Sequence, residues 1–357
     1  MRAFQTRVYG SLPGLVKRGP WVVRLRGIGG RLPRENNRGG PRVGKRDDRS
    51  LEDQLFYQEV SYQVRPRLFA LDIDHTLTGD DHRITGPNVA AVARALEEGV
   101  KVTLITGRRY SWSAAMFADV LGVTGPLGCH YGRRVVDHPS GEVLVSHPLP
   151  EGAPRALIDA ARPFDDALIS LFLGDDLIFE QLPPGWEATT LPQFSVGDLD
   201  AVCADRDGEI ISVHVSGLER TDVVKAVAQA GRRLFPGLLD FYYSPWAGDP
   251  GGLLTAVSSA ADKGTALIDI ARRLGVDPSE TVAMGDSVAD VPMLRAAGLG
   301  VAMPWAADEV RAAADLVAEG GPEDAVAKTI HALLEGGLED RSKERDQDAP
   351  EDGPGSP

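Results

Sequence analysis

Two aspartates, Asp72 and Asp74, with Thr76 following at the same interval, close the apolar run Leu68-Phe69-Ala70-Leu71. An apolar run this short suits a buried strand better than a helix. In an open α/β sheet, ligands bind off the carboxyl ends of the strands, where this pair would lie. Two uncompensated carboxylates at such a point are costly unless a cation or a proton balances them. A metal ion is therefore the first partner to consider.

Two further stretches follow the same plan. Residues 100–105 read as a strand that ends in Thr106-Gly107-Arg108. A hydroxyl and adjacent backbone N–H groups at a strand-to-helix junction suit a phosphate oxygen, and Arg108 would add a charge-assisted contact. Residues 281–284 read as a strand that ends in Gly285-Asp286, with Asp290 four residues on, and Asp262-Lys263-Gly264 opens a helix. Mg2+ takes hard oxygen ligands, and Asp72, Asp286 and a backbone carbonyl near Asp74 would serve. Lys263 would balance this acidic cluster and stabilise a phosphoryl group.

The elements between these stretches must bring them together. A helix starting at Thr85-Gly86-Pro87 and stopped by Gly99 joins the first two strands into a βαβ unit, which implies parallel strands and a right-handed crossover. Thr106 then falls beside the two aspartates. Residues 113–121 read as a helix, 126–129 as a strand and 134–145 as a hairpin about Pro139-Ser140-Gly141. His130, His138 and His147 lack metal-ligand spacing and read as turn or surface residues.

From about residue 152 to 250 the pattern changes to an α+β module. Its helices fall at 153–161 and 221–234, and its strands at 167–173, 177–181, 210–215 and 239–244. Such a module, inserted between two halves of a parallel domain, would cap the site. Trp186, Tyr243, Trp246 and Asp249 are its candidates for substrate contact.

Composition narrows the class. With 357 residues, 43% hydrophobic and 25% charged, the chain is that of a globular protein. Its formal charge of -14 argues against nucleic acid as a partner, although residues 1–67 are basic, with 15 Lys and Arg against 6 Asp and Glu. Residues 1–66 read as a disordered extension and 336–357 as an acidic disordered tail. No apolar run approaches the ~20 residues of a membrane span. Cys129 and Cys203 make neither a disulfide framework nor a zinc site, and they fit a reducing, cytoplasmic setting.

The ordered set Asp72-x-Asp74-x-Thr76, Thr106-Gly107-Arg108, Asp262-Lys263-Gly264 and Gly285-Asp286-x-x-x-Asp290 resembles the haloacid dehalogenase-like hydrolase superfamily, over about residues 67–335. The inserted module is similar to the type C2 cap of its Cof-type sugar-phosphatase branch. The resemblance implies an α/β fold, a Rossmann-like parallel-sheet core in two parts (67–150 and 255–335) around a cap at 151–254. It also implies a Mg2+-dependent phosphatase acting on a small phosphorylated metabolite, such as a sugar or polyol phosphate. Asp72 would be the nucleophile, forming an aspartyl-phosphate, and Asp74 the general acid and base. Thr106 and Lys263 would hold the phosphoryl oxygens. Mg2+ would sit on Asp72, the Asp74 carbonyl and Asp286, with Asp290 orienting Lys263. Asp74 itself points to phosphatase or phosphomutase chemistry within the superfamily.

The chain also departs from the branch's pattern. His75 stands where Gly is frequent, Ala289 where Asn is usual, and Tyr131-Gly132 where Asn-Gly is common. Met303-Pro304-Trp305-Ala306 replaces Met-Gly-Asn-Ala, and Gly320-Gly321 lacks a further Asn. Each change reads as the loss of a polar group around the site. A non-catalytic phosphate-ligand binding or regulatory protein, and a phosphomutase, are the competing readings.

Overall fold

The computed structural model describes residues 66–336 save 80, 183–193, 218–219 and 247–248, with backbone alone for 245–246 and 249–251. The expectations for the basic extension, the acidic tail and Trp186 fall outside these residues, Pro66 and Gly336 apart, as do those for the side chains of Trp246 and Asp249.

The chain opens with β1 (Leu68–Leu71), α1 (Gly86–Glu97), β2 (Lys101–Leu104), α2 (Ala115–Leu121), β3 (Gly125–Cys129), β4 (Arg134–His138) and β5 (Val143–Ser146). The cap follows as α3 (Ala153–Ala161), β6 (Leu168–Leu173), β7 (Asp176–Phe179), β8 (Phe194–Val196), α4 (Leu199–Arg206), β9 (Ile210–Ser216), α5 (Thr221–Leu234), β10 (Leu239–Trp246) and β11 (Asp249–Ser258). The second part of the core is α6 (Lys263–Arg273), β12 (Thr281–Gly285), α7 (Val291–Ala296), β13 (Leu299–Ala302), α8 (Asp308–Arg311), β14 (Leu316–Val317) and α9 (Ala325–Leu334).

All four residues of β1 are buried, as a central parallel strand covered on both faces requires. The core sheet runs β14-β13-β12-β1-β2, parallel throughout. Leu71 lies opposite Met284 on one side and Leu104 on the other. The three strands therefore end level, and the residues that follow them share one edge. β3 leaves this plane. Its Gly128 makes one parallel bridge to Ile105, but its partners lie in the antiparallel sheet β3-β4-β5.

Alternation organises the cap sheet, whose order is β10-β11-β9-β6-β7-β8. Ile169, Leu171, Val213 and Val215 pack with Leu157, Val223 and Val227 from the helices, and each such side chain contributes roughly 1.5–3 kcal/mol by leaving water. The residues between them turn the other way, toward the core. There Phe172 lies edge-on to His130 at 4.9 Å between ring centroids, and Tyr242 stacks on Tyr131 at 4.2 Å. Tyr243 sits on the opposite face from Tyr242, half exposed, so it is Tyr242 that meets the core.

Several features differ from the sequence reading, the short strand β8 among them. β11 has no counterpart in the sequence reading, and it opens on Pro250, Gly251 and Gly252, residues uncommon in strands. The strand carries Val257 and Ser258 into pairs with Asp240 and Leu239, so the expected seam at 254–255 falls inside it. The helix α4 is polar, with only Leu199 and Cys203 buried, and its periodicity is correspondingly weak. His130 and His138 are buried rather than on the surface. His138 bonds to Tyr110 Oη and Asp119 Oδ1, both at 3.1 Å.

Candidate active site

The chain leaves β1 at Asp72 and turns at once. Asp74 is extended (φ −72°, ψ 128°), and His75 adopts a left-handed φ of 55°. That conformation favours Gly, so His75 stands there at a conformational cost. Two side-chain bonds help hold the turn. The Thr78 hydroxyl donates to the Ile73 carbonyl at 3.1 Å, and the Trp305 indole N–H donates to the His75 carbonyl at 2.7 Å.

Lys263 is placed by a capping box. Asp262 accepts the Thr265 N–H at 2.7 Å, and its own N–H donates to the Thr265 hydroxyl at 2.8 Å. Behind the helix start lies Gly132, with φ 87°, where a Cβ would meet the Asp262 carbonyl oxygen at 2.2 Å. No other residue fits there. The buried Lys263 ammonium donates to Asp72 Oδ1 and Asp290 Oδ1, both at 2.5 Å. The second oxygen of Asp290 accepts N–H bonds from Asp286 (3.1 Å) and Ser287 (2.8 Å) and the Ser287 hydroxyl (2.8 Å). Asp290 is therefore committed to Lys263 and to the loop carrying Asp286.

Oxygens of Asp72, Asp286 and Asp290 all lie within 4.8 Å of one another. Burial raises the Asp72 carboxyl well above its ordinary value, with Asp290 and Asp286 adding to the effect against Lys263. Asp286 is pushed up to about 6, by burial first and then by Asp290. Lys263 stays protonated, because the two carboxylates more than offset its burial. Three carboxylates against one ammonium leave a surplus of negative charge that suits a divalent cation. The all-oxygen donor set suits Mg2+ in particular. Asp72 and Asp286 are the carboxylates with oxygens to offer, and Thr76 Oγ1 supports Asp286 Oδ1 from 3.3 Å.

Thr106 is fully buried at the end of β2, and its hydroxyl accepts the Arg108 N–H at 3.2 Å. The Tyr131 ring covers Gly107 so closely that a Cβ there would lie 2.7 Å from Cε1 and Cζ. Arg108 does more than the sequence suggested. It donates from Nε to Asp74 Oδ2 at 2.8 Å and from Nη2 to Asp74 Oδ1 at 2.5 Å, while Nη1 reaches Ser113 Oγ at 3.3 Å. Burial alone would raise the Asp74 carboxyl, but Arg108 holds it below the usual range, with His82 Nδ1 adding a contact at 3.4 Å.

Two of the departures from the branch's pattern are not losses of polarity. Trp305 supplies its own donor to the His75 carbonyl, and the Tyr131 hydroxyl lies near the polar side chains of Ser244 and Thr255 of the cap. Ala289 is buried and offers no polar side-chain atom, so there the loss stands.

Sequence reasoning missed the residues that tie cap to core. The fully buried Arg133 donates to the carbonyls of Ser258 (2.9 Å) and Tyr131 (2.8 Å), to Tyr242 Oη (3.2 Å) and to Asp240 Oδ2 (2.6 Å). Asp175, at the β6–β7 turn, reaches Ser111, His130 and Arg134. An Arg beside a Gly and an Asp in a hairpin turn carry no signal of their own in a sequence.

The haloacid dehalogenase-like hydrolase family model matches residues 69–330. A phosphoglycolate phosphatase of Methanopyrus kandleri is 28% identical over 268 residues, covering 75% of this chain and 97% of that protein. A pyridoxal phosphate phosphatase of Escherichia coli is 27% identical over 277 residues, covering 75% and 98%. Among solved structures, a haloacid dehalogenase-like hydrolase from Bacteroides thetaiotaomicron shares the fold with TM-score 0.62 at 22% identity, covering 74% of this chain and 98% of its own. A subclass IIB sugar phosphatase gives TM-score 0.62 at 19%, with the same coverage. By the extent of the family match, this chain belongs to the haloacid dehalogenase-like hydrolases, in their Cof-type branch.

Proposed function

We propose that this hydrolase is a Mg2+-dependent phosphatase cleaving a small phosphomonoester, a sugar or polyol phosphate, through an aspartyl-phosphate. The observation that carries the reading is the arrangement at one sheet edge. Asp72 is gripped by buried Lys263 on one side, and Asp74, two residues on, is gripped by Arg108 on the other. This arrangement supports one carboxylate as the attacking group and the second as the group that moves protons.

In this reading an Asp72 oxygen attacks phosphorus, and the bond to the leaving oxygen breaks as Asp74, which first exchanges one of its Arg108 contacts for a proton, gives that oxygen the proton. Asp74 then takes a proton from the water that attacks the phosphorus of the aspartyl-phosphate, which frees phosphate and restores Asp72. Lys263 and the Thr106–Gly107 turn hold the phosphoryl oxygens. Asp72, Asp286 and the Asp74 carbonyl would hold Mg2+, which when bound lowers the repulsion between anionic nucleophile and anionic phosphate. Asp290 orients Lys263.

The cap face toward the core carries Ser170, Ser212, His214, Thr255 and Tyr242 alongside Phe172 and Val257, so it offers polar groups to a hydroxyl-bearing leaving group. No helix among the described residues is long and apolar enough to cross a membrane. The free, buried Cys129 and Cys203 suit a cytoplasmic location.

The test is phosphate release from p-nitrophenyl phosphate and a panel of sugar phosphates, with and without Mg2+, for wild type and Asp72→Asn. Mg2+-dependent release that vanishes in the variant supports the reading. A folded protein silent across the panel, or equal rates in both proteins, would sink it.

A further inference from the structure

The β6–β7 hairpin of the cap ends in a two-residue turn, with Leu173 paired to Asp176 and Gly174 in the left-handed conformation at φ 62°. A left-handed first position is what a tight hairpin turn of this kind demands. The turn sends Asp175 down onto the core. Its Oδ2 accepts the Ser111 N–H at 2.7 Å and the Ser111 hydroxyl at 2.6 Å. Its Oδ1 accepts Arg134 Nη1 at 2.9 Å and His130 Nε2 at 3.3 Å. The Asp175 carbonyl takes a further, longer contact from Arg109 Nη1 at 3.4 Å.

These donors are not spread at random over the core. Arg109 and Ser111 belong to the segment 108–113, whose first residue holds both oxygens of Asp74 and whose last supports that guanidinium through Ser113 Oγ. A cap carboxylate thus fixes the middle of the segment, and the two ends of the same segment meet at Arg108. Within it Trp112 sits at φ 57°. A non-glycine residue stays in that conformation only where its surroundings impose it. His130, buried between Phe172 and Asp175, donates from Nε2, which fixes its neutral tautomer. Charge-assisted bonds of this kind are worth about twice neutral ones, so this contact is a strong anchor among those between cap and core.

We propose that Asp175 is a positioning residue for Asp74, acting through Ser111 and Arg108, so that the general acid is set in place only while the cap is seated. The proposal rests on the reading of Asp74 as the acid–base group. It assigns the β6–β7 turn a part in proton transfer and not only in covering the site.

Leaving-group chemistry separates this role from plain stabilisation. An alkyl phosphate needs a proton on its departing oxygen, whereas p-nitrophenolate leaves without one. The experiment measures kcat/KM, which reports steps through phosphoryl transfer, for glycerol phosphate and for p-nitrophenyl phosphate. It compares wild type, Asp175→Asn, Asp175→Ala, Ser111→Ala and Asp74→Ala, each with its thermal midpoint in the full-length protein. Positioned acids contribute ~10²–10⁴-fold, so Asp175→Ala is expected to lose on the order of tenfold or more on the alkyl substrate and little on the aryl one. Asp175→Asn, which keeps an acceptor for the Ser111 N–H, recovers part of the loss. Ser111→Ala, which leaves the cap untouched, shows the same selectivity in smaller measure.

Equal losses on both substrates, or none in either Ser111→Ala or Asp175→Ala, would overturn the proposal while leaving the phosphatase reading intact. If Asp74→Ala shows no such selectivity, or wild type turns over neither substrate, the reading itself falls and takes the proposal with it.

Discussion

Arg108 holds Asp74 by a two-pronged ion pair, Nε to Oδ2 at 2.8 Å and Nη2 to Oδ1 at 2.5 Å, across 34 residues of sequence. The fork geometry is specific to a guanidinium, because lysine presents a single point charge. Arg108→Lys is therefore expected to behave as a defect despite its retained charge. Steady-state kinetics on an alkyl phosphate should show kcat/KM lower by about tenfold. Rates equal to wild type would mean the pair is incidental.

Arg133 gives a prediction about stability. Its guanidinium is wholly buried and shared between Asp240, Tyr242, Tyr131 and Ser258. Asp240 is 43% exposed, so losing Arg133 is felt through lost charged hydrogen bonds, about 1.5–3 kcal/mol, and for a chain of this size that lowers Tm by roughly 5 °C. Arg133→Met should show this in calorimetry, with Arg133→Lys recovering little because one ammonium cannot reach four acceptors.

Metal binding should be visible without turnover. Asp286 is crowded by burial and by Asp290, which pushes its carboxyl up to about 6. Asp286→Asn relieves that repulsion, so its Tm in chelator-treated buffer should equal or exceed that of wild type. Added Mg2+ should raise the wild-type Tm and leave the variant unmoved. The reverse ordering would remove Asp286 from the cation site.

Trp305 offers a finer test. Trp305→Phe keeps the ring and deletes the donor to the His75 carbonyl. A net hydrogen bond is worth about 0.5–1.5 kcal/mol of stability, so Tm should fall by only a few degrees, and kcat should fall several-fold where the bond also holds the His75 turn in shape. A Tm loss with unchanged kcat would make Trp305 a packing residue only.

His214 sets a pH dependence in the cap. Burial, with His130 nearby, pulls its pKa down to about 3, so the folded protein keeps it neutral while the unfolded chain takes up a proton below about 6.5. Its contribution to stability is therefore whole above that value and is lost as pH falls toward 3, with a slope of up to about 1.4 kcal/mol per unit. Denaturant melts of wild type and His214→Gln across pH 4–7 should converge as pH falls. Parallel curves would show that His214 is not buried neutral.

The amino-acid sequence alone determined which residues share the carboxylate-bearing edge. Asp72, Asp74, Thr106 and Asp286 each follow an apolar run, and parallel βαβ connections bring the ends of such runs to one side whatever the details of packing. Lys263 was legible for a similar reason, because Asp262-Lys263-Gly264 marks a helix start by local chemistry. The tertiary structure alone decided what surrounds that edge. Asp175 meets Ser111 across 64 residues, and Arg133 meets Asp240 across 107. Both contacts depend on how the inserted sheet is registered and seated, through strands such as β11 whose opening Pro and Gly residues hide them. Local periodicity records which face of an element is buried. It does not record which distant side chain lies opposite, and that pairing sets Arg108 on Asp74 and places the cap above them.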